Sequence, residues 1–325
     1  MTLVEVLTSL AIIAILFALL LPTLARMREL GHRSTCQENL RQWGIVFKLY
    51  AGETKGYKWP PLQADFGSVN HVFDTFSISP RFDSVYPEYM NDLELFSCPS
   101  DQDSLRLAAG SRPPREVLQS EPRLAGRSYA YLGWVVDKAN RPEVHGNAFS
   151  RLALLDFLLA AETDIGKLLV NAQLAAGLDA CLAGASPHWF VPRVLQEVCD
   201  SDIMGVAAHP ITGESLGNGY SDSIFRLREG IERFLITDVA CSSCAEMAES
   251  GVWIMFDQSV PVGRGMALNH QPAGSNVLYM DGHVAYIRLT HGVWDATLRT
   301  WRDGAAVPPV MPSIIRTIGA IGASR

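Results

Sequence analysis

The sequence predicts an α+β protein: a long N-terminal helical stalk, then a globular head built on an antiparallel β-sheet with extra helices inserted. Three observations carry this. The first 25 residues, MTLVEVLTSLAIIAILFALLLPTLA, contain a single charge, Glu5. Further on, Leu40, Trp43, Phe47 and Tyr50 recur at three- and four-residue spacing, which is one face of a helix. Near the other end, two β-rich runs flank Asp281-Gly282, a hairpin signature.

The apolar segment has membrane dimensions. Twenty-five helical residues span about 37 Å, and a hydrocarbon core needs about 20. Leu10 to Leu21 is apolar all round, which marks a membrane span or a helix inside a large assembly. A carboxylate there costs roughly 2.5–3.5 kcal/mol on insertion scales and is usually paired. The most economical partner for Glu5 is the amino terminus of a neighbouring copy. A cleaved secretory signal begins with a basic region and ends at a small-residue site. Neither is present, which leaves a plain signal anchor as the stronger rival. Arg26, Arg28 and Arg33 follow the segment and by the positive-inside rule would hold the bulk of the chain in the cytoplasm. That conflict eases if a more basic leader once preceded Met1 and was removed. Pro22 removes a backbone donor and clashes with the preceding turn, at a cost of about 3 kcal/mol. It predicts a kink or a locally melted turn at residues 18–22, or the end of the membrane helix at its interface.

The remaining elements follow in order. Residues 1–52 read as the stalk, with 1–25 as its transmembrane part, and residues 53–325 as the head. The helix ends near Tyr50, stopped by Gly52, Gly56-Tyr57 and Pro60-Pro61; Gly31 marks a bend within it. Residues 100–125 and 208–222 read as surface loops. Residues 127–134, 232–239 and 252–256 read as strands, and 150–184 and 192–199 as helices. Asp156, Glu162 and Asp164 argue against a second membrane span. Asp281-Gly282 predicts a two-residue type I′ turn, which sets Met280 opposite His283 and Tyr279 opposite Val284. The net charge of −7 argues against nucleic acid as a main partner.

The run Met1-Thr2-Leu3-Val4-Glu5-Val6-Leu7 resembles the start of a mature type IV pilin or pseudopilin. In that family a leader is cut after a glycine and the new terminus is methylated. The acidic fifth residue corresponds to Glu5, and the helix-kinking proline to Pro22. The resemblance extends to large planctomycete-type prepilin-like proteins, whose C-terminal signature of His, spacer and Asp-Gly corresponds to His270, Asp281 and Gly282. A segment similar to Arg228–Asp238, a Cys at the stalk base (Cys36) and a later Cys-Pro-Ser (Cys98-Pro99-Ser100) match as well. It fades over residues 140–227, read as an insertion.

Six cysteines, Cys36, Cys98, Cys181, Cys199, Cys241 and Cys244, suggest disulfides in an exported domain. The favoured bond is Cys36–Cys98, tying stalk to head and worth about 4 kcal/mol in the chain-entropy model. Nearest-neighbour pairing then joins Cys181 to Cys199 and Cys241 to Cys244. Free buried thiols are the alternative. Cys241-x-x-Cys244 with His270 and His283 imitates a zinc site, but a structural zinc site usually offers two close ligand pairs. A thioredoxin-like role lacks its βαβ context. There is no Gly-x-Ser-x-Gly elbow, and Asp238, Asp257 and Asp281 lack EF-hand spacing for calcium. His270 reads as a loop residue hydrogen-bonded within the head, or as a subunit contact, in preference to a general base. No metal, cofactor or catalytic residue is therefore expected, and the chain is not expected to be an enzyme.

The resemblance implies a structural subunit of a pilus-like extracellular filament, assembled through the apolar helix, with Met1, Glu5 and Pro22 as assembly residues. Its partners would be copies of itself, the inner membrane before assembly, and a prepilin peptidase with its assembly machinery. A minor pseudopilin of a secretion system is the neighbouring alternative. A membrane-anchored envelope protein with a ligand-binding head is the alternative of another class.

Overall fold

A computed structural model describes residues 2–64, 76–101, 110–138, 143–152, 169–185, 192–235, 249–262, 265–268, 270, 274–288, 293–295 and 300–302. The chain is a mixture of helix and antiparallel sheet, with one long N-terminal helix.

That helix, α1, runs from Leu3 to Glu53 without a break. Its start is sealed by a capping box: the Thr2 hydroxyl accepts from the Glu5 N–H, and the Glu5 carboxylate accepts from the Thr2 N–H at 2.8 Å. Neither Pro22 nor Gly31 interrupts the helix, which corrects the expected melted turn at 18–22. The bonds of the long flanking turns outweigh the one donor that proline removes. α1 is long and apolar enough to cross a membrane: its most apolar window has a mean hydropathy of 2.7, and none of that window is buried. Burial begins at Cys36 and continues through Leu40, Trp43, Gly44, Val46, Phe47 and Ala51. The predicted face is therefore the buried one, except that Tyr50 is only half-buried.

The strands are β1 (Leu62–Ala64), β2 (Phe76–Pro80), β3 (Tyr129–Tyr131), β4 (Val144–His145), β5 (Leu169–Val170) and β6 (Trp253–Asp257). They continue with β7 (Ser259–Val262), β8 (Gly265–Leu268), β9 (Gly274–Tyr279), β10 (Val284–Arg288), β11 (Val293–Asp295) and β12 (Thr300–Arg302). The main sheet has the order β10-β9-β6-β3, antiparallel throughout, and α1 lies against β9, β10 and β6. The approach is close: a Cβ on Gly44 would sit 3.2 Å from the Leu278 side chain. Trp43, Phe47, Trp59, Tyr131 and Phe96 pack ring against ring at the centre of the core. Each such ring removes about 150–250 Å² from water.

Several expectations need correction. The β9–β10 hairpin is present, but its register differs by one residue from that of a type I′ turn. Val284 pairs with Leu278, and Tyr279 faces His283. The loop is Met280-Asp281-Gly282; the Gly282 N–H donates to the Tyr279 carbonyl, and Gly282 alone there has positive φ. This is the three-residue turn with a bulge glycine. The Tyr279 and His283 rings stack 4.2 Å apart across it. Residues Glu232–Leu235 form a helical turn instead of a strand. Leu169 and Val170 form β5 instead of helix, and the helix behind them is Ala172–Ala185. Pro192–Cys199 is helical as expected. Within the predicted loop 100–125, Pro114–Ser120 is a helix, started by its proline and held by buried Val117 and Leu118. The loop at 208–222 is not confined to the surface, because Leu216 and Asn218 are fully buried.

Candidate functional site at the junction of stalk and head

α1 carries Glu29, His32, Arg33, Cys36 and Asn39 down one side, at the spacing that stacks residues along a helix face. The chain from Leu95 to Ser100 crosses that side and is fixed to it. Trp43 Nε1 donates to the Leu95 carbonyl at 3.0 Å, Asn39 Nδ2 to the Ser97 carbonyl at 3.2 Å, and Ser100 Oγ to Glu29 Oε2 at 2.9 Å. Cys98 is thereby set against Cys36, with 2.7 Å between the sulfurs. The main sheet supplies two more groups. Asp257 ends β6, paired with Tyr129 on β3. His270 forms a bridge with Gly274, where a Cβ would collide with Tyr286 and the Ile287 carbonyl.

Together these residues make one buried polar cluster. His270 Nε2 lies 3.6 Å from Cys98 Sγ and 3.2 Å from Asp257 Oδ2, and its Nδ1 lies 2.8 Å from Glu29 Oε1. Asp257 Oδ2 also accepts from the backbone and side-chain nitrogens of Asn276, both at 2.8 Å. Asp257 Oδ1 is buried with no hydrogen-bond partner. The ligand atoms of Cys36, Cys98, Asp257 and His270 all lie within 4.8 Å of one another, and all four residues are buried.

The electrostatics follow from the burial. Burial opposes a charge on His270, but its hydrogen bonds to Asp257 and Cys98 outweigh this and push its pKa up to about 11. The hydrogen bond with Cys36, and then burial, push the Cys98 thiol well up, against a smaller opposite pull from His270. Burial, followed by the neighbouring Cys36 and Asp257, raises the Tyr129 phenol. Thiol, imidazole and carboxylate stand in the order of a nucleophilic triad. Cys98 is only 1 % exposed and its thiol is held protonated, so the arrangement suits ligation better than attack on a substrate.

The predicted site residues fare unequally. Glu5 closes its own helix cap, and Pro22 lies within α1. Met1, Cys241 and Cys244 lie outside the described residues. The expected disulfides are absent among the described residues: Cys36, Cys98, Cys181 and Cys199 are free buried thiols. The two expected pairs are in contact nonetheless, as hydrogen-bonded sulfurs. His270 is in the cluster. Asp281 and Gly282 serve the hairpin, where Asp281 accepts from the His283 N–H at 3.0 Å. Sequence reasoning expected no metal site and missed Glu29, Asp257 and Asn276 as companions of the two sulfurs. Comparison with known proteins finds no matching family model, no matching curated protein and no matching solved structure.

Proposed function

We propose that this chain is a structural subunit of a type IV pilus-like filament, held in the membrane by the first half of α1 and later packed through it among copies of itself. The observation that carries the reading is the division of one continuous helix. Its first 30 residues leave Leu3, Leu10, Ile13, Leu16, Phe17, Leu20 and Leu24 exposed, while one face of its last third is buried in the head. Such a surface needs lipid or other helices around it. Identical head-to-tail contacts that do not close generate an open helical polymer. A processing peptidase and an assembly machine would be the accessory partners, and the head would form the filament surface outside the cell.

A second reading, a membrane-anchored envelope protein with a binding head, is favoured by the capping box, because Glu5 already has a hydrogen-bond partner in its own chain. Glu5→Gln separates the two. Glutamine keeps the capping acceptor and removes the charge. If Glu5 pairs with the terminus of a neighbour in a low-dielectric core, losing it costs roughly 3–5 kcal/mol. Filaments sheared from cells and counted by electron microscopy should then fall at least tenfold while the head stays folded. Undiminished filament yield from Glu5→Gln would sink the polymer reading.

A further inference from the structure

The cluster at the junction mixes two sulfurs, an imidazole and a carboxylate, each from a different segment of chain. Ordinary hydrogen bonding leaves this arrangement incomplete: Asp257 Oδ1 is buried and unpaired, and the Asp257 carboxylate lies within 4.8 Å of both sulfurs. We propose that Cys36, Cys98, Asp257 and His270 form a closed four-ligand site for a zinc-class divalent cation, which fastens α1 to the head.

The donor set selects the class of ion. Thiolate and imidazole favour zinc over the hard cations calcium and magnesium, which take all-oxygen sites. Bond lengths of about 2.0–2.3 Å put tetrahedral ligand atoms roughly 3.3–3.8 Å apart. The separation of Cys98 Sγ from His270 Nε2, 3.6 Å, is of that size. The two sulfurs, 2.7 Å apart, must part by about 1 Å to bind one metal ion. The surrounding shell is in place. Glu29 receives the far nitrogen of His270 at 2.8 Å, the carboxylate–histidine arrangement that orients a metal-bound imidazole. Asn276 holds the other carboxylate oxygen. Four protein ligands with no open position make the site structural, not catalytic. Loading is an exchange: the cation enters, and the thiol protons and the imidazolium proton leave to solvent. No oxidant is required. The Cys181–Cys199 pair, whose charged neighbour is Arg226, has the wrong electrostatics for a cation and serves as the internal control. The proposal does not depend on how the apolar half of α1 is used.

The test uses the full chain in detergent micelles, purified with reductant and without chelator. Elemental analysis should find one zinc per chain. After zinc is stripped, cobalt(II) should titrate to one per chain with a thiolate-to-cobalt charge-transfer band and the intense visible bands of a tetrahedral site. Cys36→Ser and Cys98→Ser should each abolish or blue-shift the charge-transfer band. Glu29→Gln should weaken cobalt binding about 10–100-fold. Cys181→Ser should leave both band and stoichiometry unchanged. The unsubstituted protein decides the matter even if a ligand variant fails to fold. Cobalt bound without a thiolate band, loss of the band in Cys181→Ser, or a Cys36–Cys98 disulfide in protein alkylated at cell lysis would each overturn the assignment.

Discussion

The two ends of α1 share one backbone and face opposite environments. From Cys36 to Ala51 the helix gives up a face to aromatic rings and to the main sheet, and its polar groups Asn39 and Trp43 Nε1 are bonded to the passing chain. From Leu3 to Arg28 every residue is exposed, and none of its most apolar window is buried. Helical structure alone therefore says little about stability. The lower end is held by tertiary packing, and the upper end, in water, would have only its own hydrogen bonds and a capping box. One unbroken backbone joins the upper end to the head.

This contrast can be broken or sharpened by substitution. Trp43→Ala should have the largest effect, lowering stability in a denaturant titration by about 3–5 kcal/mol, because Trp43 sits at the centre of the aromatic cluster. Asn39→Ala should cost about 1–3 kcal/mol by the same measurement, since its amide donates to both the Ser97 carbonyl and the Tyr129 hydroxyl. A smaller effect belongs to the hairpin beside Gly44. Burial acts to raise the Asp281 carboxyl, but the backbone N–H and ring of His283 outweigh it and hold its pKa below the ordinary value. A depressed carboxyl stabilises above its unfolded pKa and loses that contribution as pH falls through the folded one. Stability should therefore show a shallow loss below about pH 4 that is missing in Asp281→Asn. The smallest effect is expected at the upper end. Leu16→Ala should move the unfolding midpoint of the head by no more than about 0.5 kcal/mol. A shift as large as that of Asn39→Ala would mean that the two ends are not energetically separate.

How much of this was legible depended on range. The long helix and its buried face could be read because apolar spacing is a local signal; Leu40, Trp43 and Phe47 carry it unaided. The hairpin was legible from Asp281-Gly282, but its register was not. Both turn types accept that dipeptide, and the choice depends on whether Asp281 takes a positive φ, which it does not. Glu232–Leu235 reads as a strand by composition and folds as a helical turn, a case of context overriding a weak propensity. The polar cluster was hidden for a different reason. Cys241-x-x-Cys244 has the compact spacing of a metal motif, whereas Cys36, Cys98, Asp257 and His270 are scattered along the chain and form no motif. Cys36, Cys98 and His270 each stood out separately; only the fold places them beside Glu29 and Asp257.

The separation of Glu29 from His270 is 241 residues, and this has a consequence for biogenesis. During synthesis the apolar helix emerges before the head. The sulfur on its lower half then waits for nearly the whole head to be translated before imidazole and carboxylate arrive. A nascent or truncated chain ending before His270 can hold its thiols but never completes the set. Closure of the junction is thus a late event, and it distinguishes a finished molecule from an incomplete one.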